Sequence, residues 1–76
     1  MNYKAIIDYK SIGHRVREAR QEKELTQKDI ADAAGVSREF ITVFEAGYKT
    51  IALPTLCLIA QKLNVSLEYL VYGKKS

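Results

Sequence analysis

The sequence predicts an all-α fold of about five helices, and three observations carry that expectation. Apolar residues recur at helical spacing over most of the 76 residues. Strand-like alternation is almost absent. Gly and Pro number only four and one, so the helical patterns are broken for a few residues at a time and the connections must be short. At 47% hydrophobic and 28% charged, the composition suits one globular domain, 1–76, with one small core. Such a core gives modest stability unless packing is tight or copies associate. There is no internal repeat, linker or low-complexity tract.

Residues 1–7, with Tyr3, Ile6 and Ile7, read as a short extended arm or a loosely docked terminus. Asp8 is a competent N-cap for a first helix running to about Lys23. Its core face is Tyr9, Ile12, Val16 and Ala19, with His14, Arg17, Glu18 and Glu22 opposite. Arg20 falls at the margin of the apolar stripe, where a charge calls for a carboxylate partner. Thr26 caps a second helix, Asp29 completes a capping box, and Ile30, Ala31 and Ala34 mark the apolar face. Gly35 supplies the positive φ that ends this helix, and Val36 plugs the corner. Ser37 then caps a third helix whose apolar face is Phe40, Ile41 and Phe44.

Two helices joined by so short a turn cross steeply. Residues 26–45 therefore read as a helix-turn-helix. Gly47 ends the third helix, and Tyr48-Lys49-Thr50 form a polar loop. A fourth helix begins near Leu53 or Pro54, buries Leu56, Ile59, Ala60 and Leu63, and stops at Asn64. Ser66 caps a fifth, with Leu67 and Leu70 inward. Gly73 ends it and leaves 74–76 as a solvated tail.

Function follows from the outward side of the third helix. At about 100° per residue, Phe40, Ile41 and Phe44 cluster together, while Arg38, Glu39, Thr42 and Val43 occupy the opposite side. The second helix of such a motif enters the major groove of duplex DNA, so these four are the candidate base readers. Arg38 can bond guanine O6 and N7, and Glu39 can accept from a cytosine amino group. Thr42 can bond a base edge or touch a thymine methyl, and Val43 offers apolar contact alone. The plain alternative is that they are ordinary surface, and Glu39 can equally act by repelling phosphate. Ser37 either touches phosphate or only caps.

Charge bears on the partner. The net charge of +3 permits a polyanion. Yet over 26–50 Lys28, Arg38 and Lys49 stand against Asp29, Asp32, Glu39 and Glu45, an excess of one anion. Each copy neutralises few phosphates, and two copies on a pseudo-palindrome would compensate. A homodimer is expected. Leu58, off the core stripe of the fourth helix, and Tyr69, Val71 and Tyr72, off that of the fifth, are the candidate dimer surface, or else scattered surface apolar residues.

Three stretches, IGHRVREARQEKELTQKDIADAAGVS, the I-x-x-F-E-x-G of 41–47, and LCLIAQKLNVSLEYL, give the chain a specific likeness. It resembles the phage-repressor and Cro-like, XRE-type, DNA-binding domains over roughly residues 8–72. The resemblance implies a compact, lambda-repressor-like five-helix bundle with a central helix-turn-helix. It also implies a dimeric transcriptional regulator bound to double-stranded operator DNA, a repressor in preference to an activator, which sequence does not separate. It places Gln27 against the DNA backbone, with Lys28, Tyr48, Lys49 and Thr50 at further backbone contacts. It pairs Arg20 with Glu45 as a structural link, and it locates self-association near the C-terminus. The chain departs from the family at Glu24, where Gly is common, at Ile51-Ala52, where Pro-Ser is common, and at Val43, where polar or basic residues are common.

Other classes fit less well. His14 and Cys57 are the only His and Cys and fall on different helices, so neither a catalytic constellation nor a metal or cofactor site is expected. No small-molecule ligand is evident. No run is long enough to span a bilayer, MNYKAIIDYK lacks a signal-peptide layout, and a single Cys suits a reducing cytoplasm. A protein-interaction module that kept the fold, or an antitoxin, is the rival to a DNA reader.

Overall fold

The computed structural model describes residues 7–74. Among these every regular element is a helix: α1 (Tyr9–Glu22), α2 (Gln27–Ala34), α3 (Arg38–Glu45), α4 (Leu53–Leu63) and α5 (Leu67–Tyr72). The expected arm lies outside the described residues except for Ile7, as do Lys75 and Ser76 of the expected tail.

Most boundaries have a local cause. Asp8 accepts from the backbone N–H of Lys10 at 3.1 Å and from the Ser11 hydroxyl at 2.8 Å. The Ser11 hydroxyl bond, above all, holds the Asp8 carboxyl below the usual carboxylate range. Thr26 and Asp29 form the reciprocal box of α2: Asp29 N–H donates to Thr26 Oγ1 at 3.0 Å, and Thr26 N–H to Asp29 Oδ2 at 2.8 Å. Gly35 turns the chain at φ 69°. Ser37 and Ser66 each accept a backbone N–H three residues on. After α3, Gly47 N–H donates to the Phe44 carbonyl and Tyr48 N–H to that of Val43. That closure needs the φ of 93° at Gly47. α4 is the exception, because Ala52 offers no side-chain acceptor to its first turn.

Phe44, Ile12, Ile30, Ile41, Ile59, Leu63, Leu70 and Val16 are fully enclosed, so every helix contributes to one core. Helix α3 packs on α1 and α2, α2 on α4, and α5 on α1 and α4. At Gly13 an added Cβ would strike the carbonyl of Phe44. Only glycine lets α1 approach the end of α3 so closely.

The structure refines several expectations. Tyr9 and Leu67 are half-buried, packing on the core from outside rather than within it. Ile51, read as loop, is buried and part of the core. Glu24 stands in the left-handed region at φ 55°, so the chain makes its turn after α1 without the glycine common there. Arg15 reaches across to α5, its Nη1 donating to the carbonyls of Leu70 at 3.1 Å and Val71 at 3.0 Å. Those carbonyls belong to the last turn of α5, where no intrahelical donor remains for them.

Candidate nucleic-acid interface

The third helix presents two unlike faces. Ile41 and Phe44 are buried, and Phe40 lies half-buried with its ring stacked on that of Phe44, centroids 6.1 Å apart. Arg38, Glu39, Thr42 and Val43 are all exposed, Val43 at 37%. Capping at Ser37 and packing on α1 and α2 hold that outward face on a rigid base.

Behind the face runs a chain of polar contacts. The Arg20 guanidinium grips Glu45 with two bonds, Nε to Oε2 at 2.8 Å and Nη2 to Oε1 at 3.0 Å, and spends Nη1 on the Leu25 carbonyl at 2.9 Å. The Glu45 side chain is 2% exposed. Hydrogen bonding to Glu45 pushes the Arg20 pKa further up against the opposing effect of burial. Gln27 Nε2 donates to Glu45 Oε1 at 3.1 Å. Thr42 Oγ1 lies 2.7 Å from Gln27 Oε1 and 3.1 Å from the Arg38 carbonyl oxygen. Among the described residues no buried side-chain polar atom lacks a partner.

The candidate phosphate contacts differ in freedom. The Gln27 carboxamide is engaged with Glu45 and Thr42, which leaves its second amide hydrogen for a phosphate. Lys28 pairs with Asp32 at 2.9 Å, an exposed pair that raises the Lys28 pKa. Ser37 accepts the Phe40 N–H at 3.0 Å, so capping is its visible role. Tyr48, Lys49 and Thr50 stand exposed after α3, Tyr48 at 82%. Sequence reasoning missed Lys10. Its stem lies against Gly47, beside the loop that carries Lys49, a proximity that only the packing of α1 on α3 creates. No ion pair among the described residues involves Lys10, Arg38 or Lys49. The excess of anions over 26–50 is offset as well, because Glu45 is paired with Arg20 from outside that segment.

Two of the four residues expected at a dimer surface share one groove. Val71 and Tyr72 line an open groove of about 320 Å³ with Ile7, Leu53, Leu67 and Glu68. Leu58 and Tyr69 are not among its lining: Leu58 is exposed elsewhere on α4, and Tyr69 packs partly against the core. Helical angle alone did not reveal that the start of α4 lies beside α5.

Among the described residues no group of His, Cys, Asp and Glu could hold a metal, and no helix is long and apolar enough to cross a membrane. Comparison with known proteins gives one consistent picture. A helix-turn-helix family model matches residues 16–70. The uncharacterized HTH-type transcriptional regulator y4mF of Sinorhizobium fredii is 36% identical over 64 residues, 84% of this chain and 84% of that one. The uncharacterized HTH-type transcriptional regulator YqaE of Bacillus subtilis is 36% identical over 61 residues, 80% of this chain and 53% of its own. The present chain thus spans about half of YqaE. Among solved structures, the P22 c2 repressor protein in complex with synthetic operator 9T superposes with a TM-score of 0.78 at 25% identity, covering 83% of this chain and 96% of that one. With its capped α2, its Gly35 corner and its outward α3 falling inside the matched span, the chain belongs to the helix-turn-helix family of transcriptional regulators.

Proposed function

We propose that this chain is a non-catalytic, cytoplasmic repressor that reads double-stranded DNA through α3, as a homodimer on a pseudo-palindromic operator. The observation that carries the reading is the exposed face Arg38, Glu39, Thr42 and Val43, held from behind by the Arg20–Glu45–Gln27 network. Arg38, without an ion-pair partner among the described residues, is the leading base contact, bidentate to guanine. Glu39 accepts from a base amino group, and Val43 packs on a thymine methyl. Gln27, Lys28, Ser37, Tyr48, Lys49 and Thr50 set the register on phosphates, joined by Lys10. The groove containing Val71 and Tyr72 is the pairing surface. Each copy neutralises few phosphates, so affinity rests on two copies engaging half-sites about one helical turn apart.

The test is selection of bound duplexes from a random pool. Enrichment of a pseudo-palindrome is expected, and Arg38→Ala should weaken the preference at one guanine by about 1–3 kcal/mol. Failure to enrich any sequence at low salt and micromolar protein would sink the reading.

A further inference from the structure

The polarity of Thr42 is fixed from inside the protein. Glu45, gripped by Arg20, is an acceptor at both oxygens. The Gln27 carboxamide must therefore turn its NH₂ toward Glu45, 3.1 Å away, and its oxygen toward Thr42. The Thr42 hydroxyl has a single proton, and both neighbours within reach, Gln27 Oε1 at 2.7 Å and the Arg38 carbonyl at 3.1 Å, are acceptors. Whichever takes the proton, what this exposed residue still has to offer is lone pairs and a methyl group.

Resting on the proposed reading of DNA by α3, we infer that Thr42 is an acceptor-only specificity determinant: Gln27, turned by the Arg20–Glu45 pair, and the Arg38 carbonyl between them take up its proton, so it selects an amino base over a keto base. In the major groove adenine N6 and cytosine N4 donate, whereas guanine O6 and thymine O4 accept. At one position of each half-site, on one strand, adenine or cytosine is thus favoured over guanine or thymine.

The experiment is duplex selection followed by competition binding with the wild-type chain, Thr42→Val and Thr42→Ser. A single net hydrogen bond corresponds to roughly 3- to 10-fold in affinity. Thr42→Val keeps the shape and removes the acceptor, so the amino preference at one position should shrink by that factor while the others hold. Thr42→Ser should retain it. If the selected base is adenine, replacing it with purine lacking the 6-amino group should weaken wild type and leave Thr42→Val unchanged. The inference is overturned if the position altered by Thr42→Val carries a keto base in wild type. It is equally overturned if Thr42→Ser alone abolishes the preference, which marks a methyl contact, or if Thr42→Val alters no position. All three differ from a pool that enriches nothing, which defeats the DNA reading itself.

Discussion

Glu24 and Arg20 show how much single side chains decide near the end of α1. An L-residue in the left-handed region costs about 1–2 kcal/mol, partly offset because a non-glycine residue has less unfolded-state freedom to lose. Glu24, exposed and at φ 55°, carries that cost. Glu24→Gly should therefore raise stability by about 0.5–1 kcal/mol, read as a later denaturant midpoint at unchanged slope; an earlier midpoint contradicts it. Arg20→Met should do the opposite. It abandons the Glu45 carboxylate, 2% exposed, and the Leu25 carbonyl. A loss of about 3 kcal/mol follows, the lower end for a buried pair because the Arg20 side chain keeps some contact with solvent. Replacing Glu45 with Met as well should recover much of it, since no charge is then stranded. Equal losses in the single and double variants would show that packing, not the unpaired charge, sets the cost.

At the level of helices, acid is the probe of capping. Asp29 sits below the usual carboxylate range chiefly because it accepts the Thr26 N–H, with the Thr26 hydroxyl bond next. A carboxyl depressed in the folded state stabilises fully above its unfolded value, and that contribution disappears as pH falls through the folded value. The box should thus loosen only in acid, below the ordinary carboxylate range. Asp29→Asn keeps an acceptor but removes the titration, so its melting temperature should fall less steeply in acid than that of wild type; parallel curves would refute the assignment. The same locality explains what could be read from sequence. Caps at Asp8, Thr26, Ser37 and Ser66, and the missing cap at Ala52, act over two or three residues and are visible in order along the chain. Gly13 against Phe44, Ile51 in the core, Arg15 on the end of α5 and Lys10 beside Gly47 depend on which helices meet. No periodicity encodes that. The outward residues of α3 were legible from angle alone, but the commitment of the Thr42 proton was not, because Gln27 lies on another helix.

For the whole molecule, charge and pairing are separable. Lys10→Met removes a cation that has no ion-pair partner among the described residues and stands exposed with its stem beside Gly47. If it meets a phosphate, the slope of log affinity against log salt should become shallower by about 0.9 per bound copy, with base preferences intact; an unchanged slope removes Lys10 from the interface. Pairing depends on the groove instead. Leu53 and Tyr72 are 61% and 53% exposed there, beside half-buried Val71 and Leu67, an apolar surface whose only charged lining residue among the described residues is Glu68. Tyr72→Glu would put a second carboxylate on each side of a two-fold contact, where like charges meet as the surfaces desolvate. Because Tyr72 ends α5 outside the core, the fold should survive with a melting curve close to wild type. Light scattering should then report a monomer for the variant and a dimer for wild type. Binding to a full pseudo-palindrome should fall by about 100-fold or more, the gain that linking two sites supplies, while binding to an isolated half-site stays the same. A Tyr72→Glu protein that remains dimeric would move the pairing surface elsewhere, to the exposed side of α4 that carries Leu58.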